Sequence, residues 1–166
     1  MSMIGEYFRL TSAELERAIA DPDWVLDYIE EAQDAEEESE PAPAEARHFS
    51  TYKAWHLLGF LLERCGFPVN VVHGEELLGQ AGDWGYGPPH YLPAERVQLG
   101  AEALGRLTYD QLLEGVDPQE LMAAEIYPLG WEDRASVEWV REWFAGLTEY
   151  FTAAAVEGHA LIVWLD

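Results

Sequence analysis

Two β-prone runs, one at each end of the chain, have the pattern of strands. The first extends from Met3 to Leu10, and the last extends from Ala160 to Leu165. Both are rich in β-branched, aromatic or other large apolar side chains, which pack well on a pleated backbone. We predict that both runs are strands and that they lie beside each other in one sheet.

The segments between these runs carry signals typical of helix starts. Thr11 and Glu14 stand at the spacing of a capping box, in which each side chain accepts a hydrogen bond from the other residue's backbone N–H. Asp21 followed by Pro22 predicts a second start, with an aspartate N-cap and a proline at the first helical position. We expect further helices to begin at Pro93, Thr108 and Asp117.

Two helices account for most of the predicted core. The segment from Thr51 to Cys65 is apolar around nearly its whole circumference, so we expect a central helix there, closed by Gly66. A last helix carries one apolar stripe at helical spacing. Its members are Val137, Val140, Phe144, Leu147 and Phe151. Between the two helices, residues 67–72 have the pattern of a short buried strand, and residues 73–93 are rich in turn-forming glycine and proline.

The segment from about residue 33 to residue 47 has no candidate core position and consists mainly of Glu, Ala, Pro and Ser. Such a composition cannot recover the entropy lost on ordering, so we predict a mobile, solvated acidic loop. The remaining pattern has no internal repeat and no parallel strand–helix–strand rhythm. It predicts a single α+β domain over residues 1–166, with five or six helices around a small two- or three-stranded sheet.

The charge of the chain is unusual. It contains 32 acidic and 9 basic residues, which gives a net charge of −23, and the acidic excess is present in both halves. A field of this sign repels nucleic acid and anionic membranes, so neither is an expected partner. It favours encounter with a basic protein, at rates that fall as salt rises. The plainer interpretation is that the charge only keeps the domain soluble.

The single cysteine, Cys65, excludes an intrachain disulfide, as is usual in a reducing compartment. The N-terminus has no basic region followed by an apolar run, and no apolar stretch has the length of a membrane span. We therefore expect a cytoplasmic protein. It is a monomer or a homodimer, because seven tryptophans leave room for a homodimer face.

A candidate acid–base group involves three residues from distant segments. His56 follows Trp55 on the central helix, and a buried histidine with a carboxylate partner can act as a general base. Glu125 is a candidate buried carboxylate, and Tyr127 is a candidate hydroxyl partner. The alternative is that His56 is a core histidine whose ring nitrogens are bonded to the backbone.

The segment from Asp83 to Pro89 is the most distinctive loop, with Trp84 and Tyr86 set between glycines. Aromatic rings supply flat contact surface, so the loop is a candidate ligand lid, and a packed connection is the alternative. Histidine spacing does not support a metal site, and no phosphate-binding loop or nucleophile elbow is present, so we expect no metal or cofactor. The candidate ligand or partner site consists of Trp55, His56, Trp84, Tyr86, Glu125 and Tyr127.

Five short segments share their pattern with one known family. They are residues 3–10, 53–58, 72–78, 85–88 and 125–128. In these segments the chain resembles the YfbM-like family of bacterial domains of unknown function, and the resemblance covers nearly the whole chain except the acidic loop. It implies a single-domain α+β bacterial cytoplasmic protein, and it supplies no reaction.

Two functions from different classes remain open. The first is a non-enzymatic acidic module that binds a basic protein, for example as an inhibitor or immunity-type protein. The second is a small-molecule-binding or hydrolytic domain that uses His56, Glu125 and Tyr127. We favour the first, because the acidic excess extends over the whole chain, whereas nothing in the sequence shows that the three residues meet.

Overall fold

The structure, a computed structural model, describes residues 2–166 and contains seven helices and one five-stranded antiparallel sheet. The strands are β1 (Gly5–Leu10), β2 (His48–Tyr52), β3 (Glu76–Leu77), β4 (His90–Leu92) and β5 (Ala160–Leu165). The helices are α1 (Ser12–Ala20), α2 (Pro22–Ser39), α3 (Trp55–Arg64), α4 (Ala94–Gly105), α5 (Tyr109–Leu113), α6 (Pro118–Ala123) and α7 (Arg134–Val156). Within the described residues, no helix is both long and apolar enough to cross a membrane.

The two ends of the chain form the centre of the sheet, whose strand order is β2-β1-β5-β4-β3. β1 pairs with β5 along its whole length, from Gly5 opposite Leu165 to Leu10 opposite Ala160. The prediction that the first and last apolar runs are neighbouring strands is therefore confirmed.

Helices cover both faces of the sheet, which explains why β5 is continuously apolar and why β1 has large apolar side chains on both of its faces. On one face, Tyr7 and Val163 belong to the larger core cluster, together with residues of α3, α4, α5, α6 and α7. On the other face, Phe8 and Ile162 pack with residues of α1 and α2. Because successive side chains of a strand point to opposite faces, β1 contributes to both clusters, and all six of its residues are buried.

The helix starts predicted from local signals are confirmed. The Thr11 hydroxyl accepts a hydrogen bond from the Glu14 backbone N–H at 3.1 Å, and the Glu14 carboxylate accepts one from the Thr11 N–H at 2.8 Å. Thr108 begins a second capping box in front of α5. Asp21 and Asp117 accept backbone hydrogen bonds at the starts of α2 and α6. These side chains satisfy N–H groups that have no partner inside the helix.

The predicted numbers of strands and helices are too small, and three local assignments are wrong. β3 and β4 lie in the segment that we interpreted as turns. The central helix begins at Trp55 rather than Thr51, because residues 51–52 belong to β2. Residues 67–72 contain no strand, and their valines fill the core from a turn instead. Pairing with distant residues overrides a weak local pattern in the first two cases, and burial of the valines does so in the third.

The segment expected to be an acidic loop from about residue 33 is helical as far as Ser39, where α2 ends. The Glu36 carboxylate near the end of α2 accepts hydrogen bonds from the backbone N–H groups of Arg47 and His48, both at 2.9 Å. One acidic side chain thus fastens the end of α2 to the start of β2. Composition does not distinguish Glu36 from the other carboxylates of the segment, whereas this contact does.

We expect Glu36→Ala to lower the free energy of unfolding by about 1–2 kcal/mol, because the substitution leaves two partly buried backbone N–H groups without their acceptor. Urea unfolding followed by circular dichroism measures this change. Glu38→Ala is the matched control, since Glu38 is exposed and lies two residues along the same helix. Equal effects of the two substitutions would show that only charge or helix propensity is involved.

Candidate functional site

Four aromatic side chains from three parts of the chain meet at the start of α3. The Trp55 indole is stacked with the His56 ring, with centroids 5.0 Å apart, and with the Tyr127 ring, with centroids 5.9 Å apart. The His73 ring lies edge-on to Trp55 at 5.5 Å. We call these four residues the Trp55 ring cluster. Such geometries are favourable beyond the area they bury.

The backbone of Met3, just before β1, holds two members of this cluster. Its carbonyl accepts a hydrogen bond from Trp55 Nε1 at 3.0 Å, and its N–H donates to the Tyr127 hydroxyl at 3.0 Å. Gly5 makes this approach of strand and helix feasible, because a Cβ there would lie 2.3 Å from the Thr51 hydroxyl and 3.0 Å from Trp55 Cβ. The N-terminal segment therefore positions Trp55 and Tyr127 together.

A single hydrogen bond sets the protonation state of His56. Its Nδ1 accepts a hydrogen bond from the Tyr127 backbone N–H at 2.7 Å, so Nδ1 carries the lone pair and Nε2 carries the proton. Burial also lowers the pKa of His56 below its ordinary value, which favours the neutral ring. His56 is thus a neutral imidazole that offers one N–H donor at Nε2.

His56 and His73 line the same cleft, which has a volume of about 400 Å³ and lies between α3 and residues 67–73. A smaller cleft of about 100 Å³ is lined by His73, His90 and Tyr86. His73 is exposed over much of its surface, yet its pKa is lowered, first by desolvation of the ring and then by the neighbouring His56 and His90. Three histidines that are distant in sequence are therefore neighbours in the fold.

Of the six predicted site residues, the structure brings Trp55, His56 and Tyr127 into contact. Tyr86 lines the smaller cleft beside His73. His73 and His90 are absent from the predicted site. No local signal links either residue to His56, because β4 pairing with β5 determines the position of His90.

Trp84 does not join the other predicted residues. Its ring lies edge-on to Trp164 at 5.4 Å, on the face of the sheet covered by α1 and α2. The Asp83 carboxylate accepts hydrogen bonds from the N–H groups of Gly85, at 2.7 Å, and Gly87, at 3.1 Å. The Tyr86 N–H donates to the Leu165 carbonyl at 3.0 Å. The bonds to Asp83 hold the loop in its turn, and the bond from Tyr86 connects the loop to the end of β5.

The interpretation of Glu125 as a buried carboxylate is wrong. The chain turns after α6, where Glu125 has a φ of 50°, and the apolar Ile126 enters the core while Glu125 is exposed. The Tyr127 hydroxyl already accepts a hydrogen bond from Met3. Burial of the apolar neighbour determines which side chain faces solvent, since an unpaired carboxylate is costly to bury.

A second feature, absent from the predicted site, is a group of partly exposed aromatic rings where β2 meets α7. Tyr52 contacts Trp139 and Trp143, with ring centroids 6.2 and 6.0 Å apart, and the two indoles are 5.6 Å apart. Tyr52 is 41% exposed and Trp139 is 42% exposed. We call these three residues the aromatic surface. The sequence contained a signal for this surface, because Trp139 and Trp143 are four residues apart on α7 and do not belong to its apolar stripe.

Most basic side chains are engaged within the chain. Five arginines form ion pairs with carboxylates at 2.7–3.4 Å. They are Arg47, Arg64, Arg96, Arg106 and Arg141. Arg9 is buried, and Arg17 lies over the Trp24 ring. Since acids outnumber bases by 32 to 9, many carboxylates on the surface have no cationic partner.

The residues that could hold a metal ion are scattered. Among residues 2–166, no group of three or more His, Cys, Asp or Glu side chains is arranged to coordinate one. Cys65 is exposed, and its thiol donates a hydrogen bond to the Leu62 carbonyl at 3.1 Å. The interactions that the Trp55 ring cluster offers are hydrogen bonding, through His56, and apolar contact, through its stacked rings.

Comparison with known proteins gives a family and a fold. A family model described as a domain of unknown function (DUF1877) matches residues 1–164. The crystal structure of YfbM, a protein of unknown function from Escherichia coli, is similar over 98% of this chain and 99% of that chain, with a TM-score of 0.70 and 16% sequence identity. At this identity, the likeness shows the fold alone. No curated protein matches the chain.

We expect the protein to lose stability as the pH falls below about 6.5, because burial lowers the pKa values of His56, His73 and His159 from that ordinary value. Just below pH 6.5 the unfolded chain binds more protons than the folded chain, so the free energy of unfolding falls with pH there. Urea unfolding between pH 7.5 and pH 5.5 measures the effect (both about one unit from the ordinary histidine value).

The control for this prediction is His56→Asn, which removes one of the three titrating rings and should reduce the pH dependence. Glu14 and Glu75 have lowered pKa values and affect stability in the same direction, but only below their ordinary value of 4.5. A free energy of unfolding that stays constant between pH 7.5 and pH 5.5 would contradict the assignment of lowered pKa values to these histidines.

Proposed function

We propose that this chain, which belongs to the DUF1877 family of domains of unknown function, is a non-enzymatic module that binds a basic protein. The observation that carries the proposal is the aromatic surface, exposed on a chain whose net charge is −23. Exposed tryptophan and tyrosine residues are enriched among the side chains that dominate binding energy at protein interfaces. Acidic side chains on the surface of the chain favour a partner of opposite charge.

The rings of the aromatic surface are held in place before a partner arrives. Trp139 and Trp143 stand one turn apart on α7, and Tyr52 packs against both. Side chains that are already ordered lose little rotamer freedom on binding, so more of the contact energy remains as affinity. This arrangement favours a binding surface over rings that are exposed by chance.

Carboxylates and cations around these rings support a basic partner. Glu142 is exposed, lies three residues after Trp139 on α7, and therefore faces nearly the same side of the helix. Glu138 is engaged by Arg141, at 3.0 Å. The Lys53 ammonium lies 5.3 Å from the Tyr52 ring centroid, so one ring of this surface already contacts a cation of the chain itself. An arginine or lysine of the partner could contact Trp139 and pair with Glu142.

An apolar groove continues from the aromatic surface. It has a volume of about 320 Å³, and Leu129, Trp131 and Trp139 contribute to its walls. Leu129 is 86% exposed, so this large apolar side chain is covered by little of the domain itself. A basic partner that also presents an apolar side chain would cover the groove and the rings together.

The hydrolytic alternative with His56, Glu125 and Tyr127 has less support. Glu125 is exposed, and the Tyr127 hydroxyl is bonded to the Met3 backbone. The proposal includes a location in the bacterial cytoplasm, since the single Cys65 needs no oxidising compartment. A monomer is sufficient for binding a basic protein. A homodimer would be detected in the test below as capture of a second copy of the chain.

We expect the immobilised chain to capture a basic protein from lysate of the source cells at low salt and to release it at about 0.5 M salt, where charges are strongly screened. The captured protein, once purified, should rebind at one site per chain. Trp139→Ala should weaken this binding roughly thirtyfold, which corresponds to about 2 kcal/mol for an interface hot spot.

Glu142→Lys and Glu16→Lys are a matched pair for the charge argument, because both alter the net charge equally. Glu16 is exposed on α1, on the opposite side of the sheet from α7. Loss of binding in Glu142→Lys alone supports the proposed surface, whereas equal losses would indicate non-specific attraction. Capture of a neutral partner, of a second copy of the chain or of nothing would refute a basic partner.

A further inference from the structure

The cleft beside His56 is built from one face of α3 and the segment that follows it. His56, Gly59, Phe60 and Glu63 are spaced by three or four residues, so they share one side of the helix. Residues 67–73 form the facing wall. A volume of about 400 Å³ lies in the range of small-molecule sites. None of its lining residues borders the groove beside Trp139.

His56, one of the residues that line this cleft, carries a hydrogen-bond donor at Nε2 whose direction the protein fixes. Its Nδ1 is occupied by the Tyr127 N–H, and stacking on Trp55, with planes within 8°, orients the ring. Within the described part of the chain, Nε2–H has no protein acceptor, and it is not sealed from solvent. A donor that the protein orients and leaves unbonded at the wall of a cleft can be used by a ligand.

The other groups of the cleft narrow the ligand chemistry. Glu63 is exposed at the cleft and forms no ion pair within residues 2–166, so it offers an acceptor. The Asn70 side-chain Oδ1 accepts a hydrogen bond from the His73 backbone N–H at 3.0 Å, which leaves the side-chain NH₂ as a second donor. Among residues 2–166, no lysine or arginine is part of the cleft lining. A carboxylate that forms no ion pair, in a chain of net charge −23, disfavours an anion.

We propose that this cleft binds a small uncharged aromatic amide or nitrogen heterocycle. Its carbonyl or ring nitrogen accepts the Nε2–H of His56, and its N–H group donates to Glu63. The rings of Phe60 and Phe67, which line the same cleft, provide apolar contact for the planar ligand. The site is independent of the proposed protein-binding surface, so each can fail without the other.

Nicotinamide and nicotinate are a matched pair of probes, because they share one ring and differ in charge. Binding is followed by NMR on protein labelled with ¹⁵N-histidine, through the signals of His56. We expect saturable shifts with nicotinamide in the millimolar range and at least tenfold weaker binding of nicotinate.

Two variants locate the binding. His56→Asn retains an acceptor for the Tyr127 N–H, because the asparagine carbonyl can stand near the position of Nδ1, but it lacks the Nε2–H donor. We expect at least tenfold weaker nicotinamide binding, monitored by the Tyr127 amide signal in protein labelled with ¹⁵N-tyrosine. Gly59→Leu fills the cleft and should abolish binding. Gly59→Ala is its control, since a Cβ there lies at an ordinary 3.5 Å from the Val72 side chain.

The outcomes that overturn the proposal are distinct. Absence of a saturable nicotinamide shift in the unaltered protein rejects the ligand class. Equal affinity for nicotinate rejects the argument from charge. Unchanged binding in His56→Asn, with the Tyr127 amide signal retained, rejects the role of Nε2–H. The His56→Asn result stands even if Gly59→Leu fails to fold.

Discussion

Strand β1 is hydrogen-bonded on both edges, to β2 and β5, and buried on both faces. A strand in this position cannot leave polar backbone groups unpaired, and its side chains must fill two cores at once. Tyr7 packs towards α7, where its ring contacts Tyr150 and Phe151, while Phe8 packs towards α2. The Tyr7 hydroxyl, deep in the core, donates to the Val71 carbonyl at 2.7 Å. β2 and β5 are placed by pairing with this strand, and residues of both core clusters pack against its side chains.

The same constraint produces the Trp55 ring cluster. The backbone of Met3 lies just before β1 and bonds both Trp55 and Tyr127, and Gly5 lets the strand approach α3. His56 then receives the Tyr127 N–H, and its protonation state follows from that contact. A feature that could serve function, the oriented Nε2–H, therefore depends on the packing of the central strand.

The carboxylates of this acidic chain have two physical roles. Some are structural: Glu14 completes a helix cap, Glu36 holds the start of β2, and Glu75 pairs with Arg96 at 2.7 Å. Hydrogen bonds and nearby arginines lower the pKa values of Glu14 and Glu75, as expected for carboxylates that fold as anions. The others face solvent without a partner and create the field that a basic protein would meet.

Local sequence determined the elements whose signals lie within a few residues. Side-chain caps predicted the starts at Thr11, Asp21, Thr108 and Asp117, and apolar patterns predicted β1, β5 and the buried stripe of α7, because the partners or the periodicity are local. It also identified Trp55, His56 and Tyr127 as candidates.

Only the tertiary structure decided the rest, because the energies concerned come from contacts between distant residues. β2, β3 and β4 exist through pairing with other strands, and no local pattern marks them. Burial of Ile126 turns Glu125 to solvent, and packing against Trp164 removes Trp84 from the site. A turn carries His73 to the edge of Trp55. Such placements depend on which surfaces the whole fold can cover, and this is information that no short segment contains.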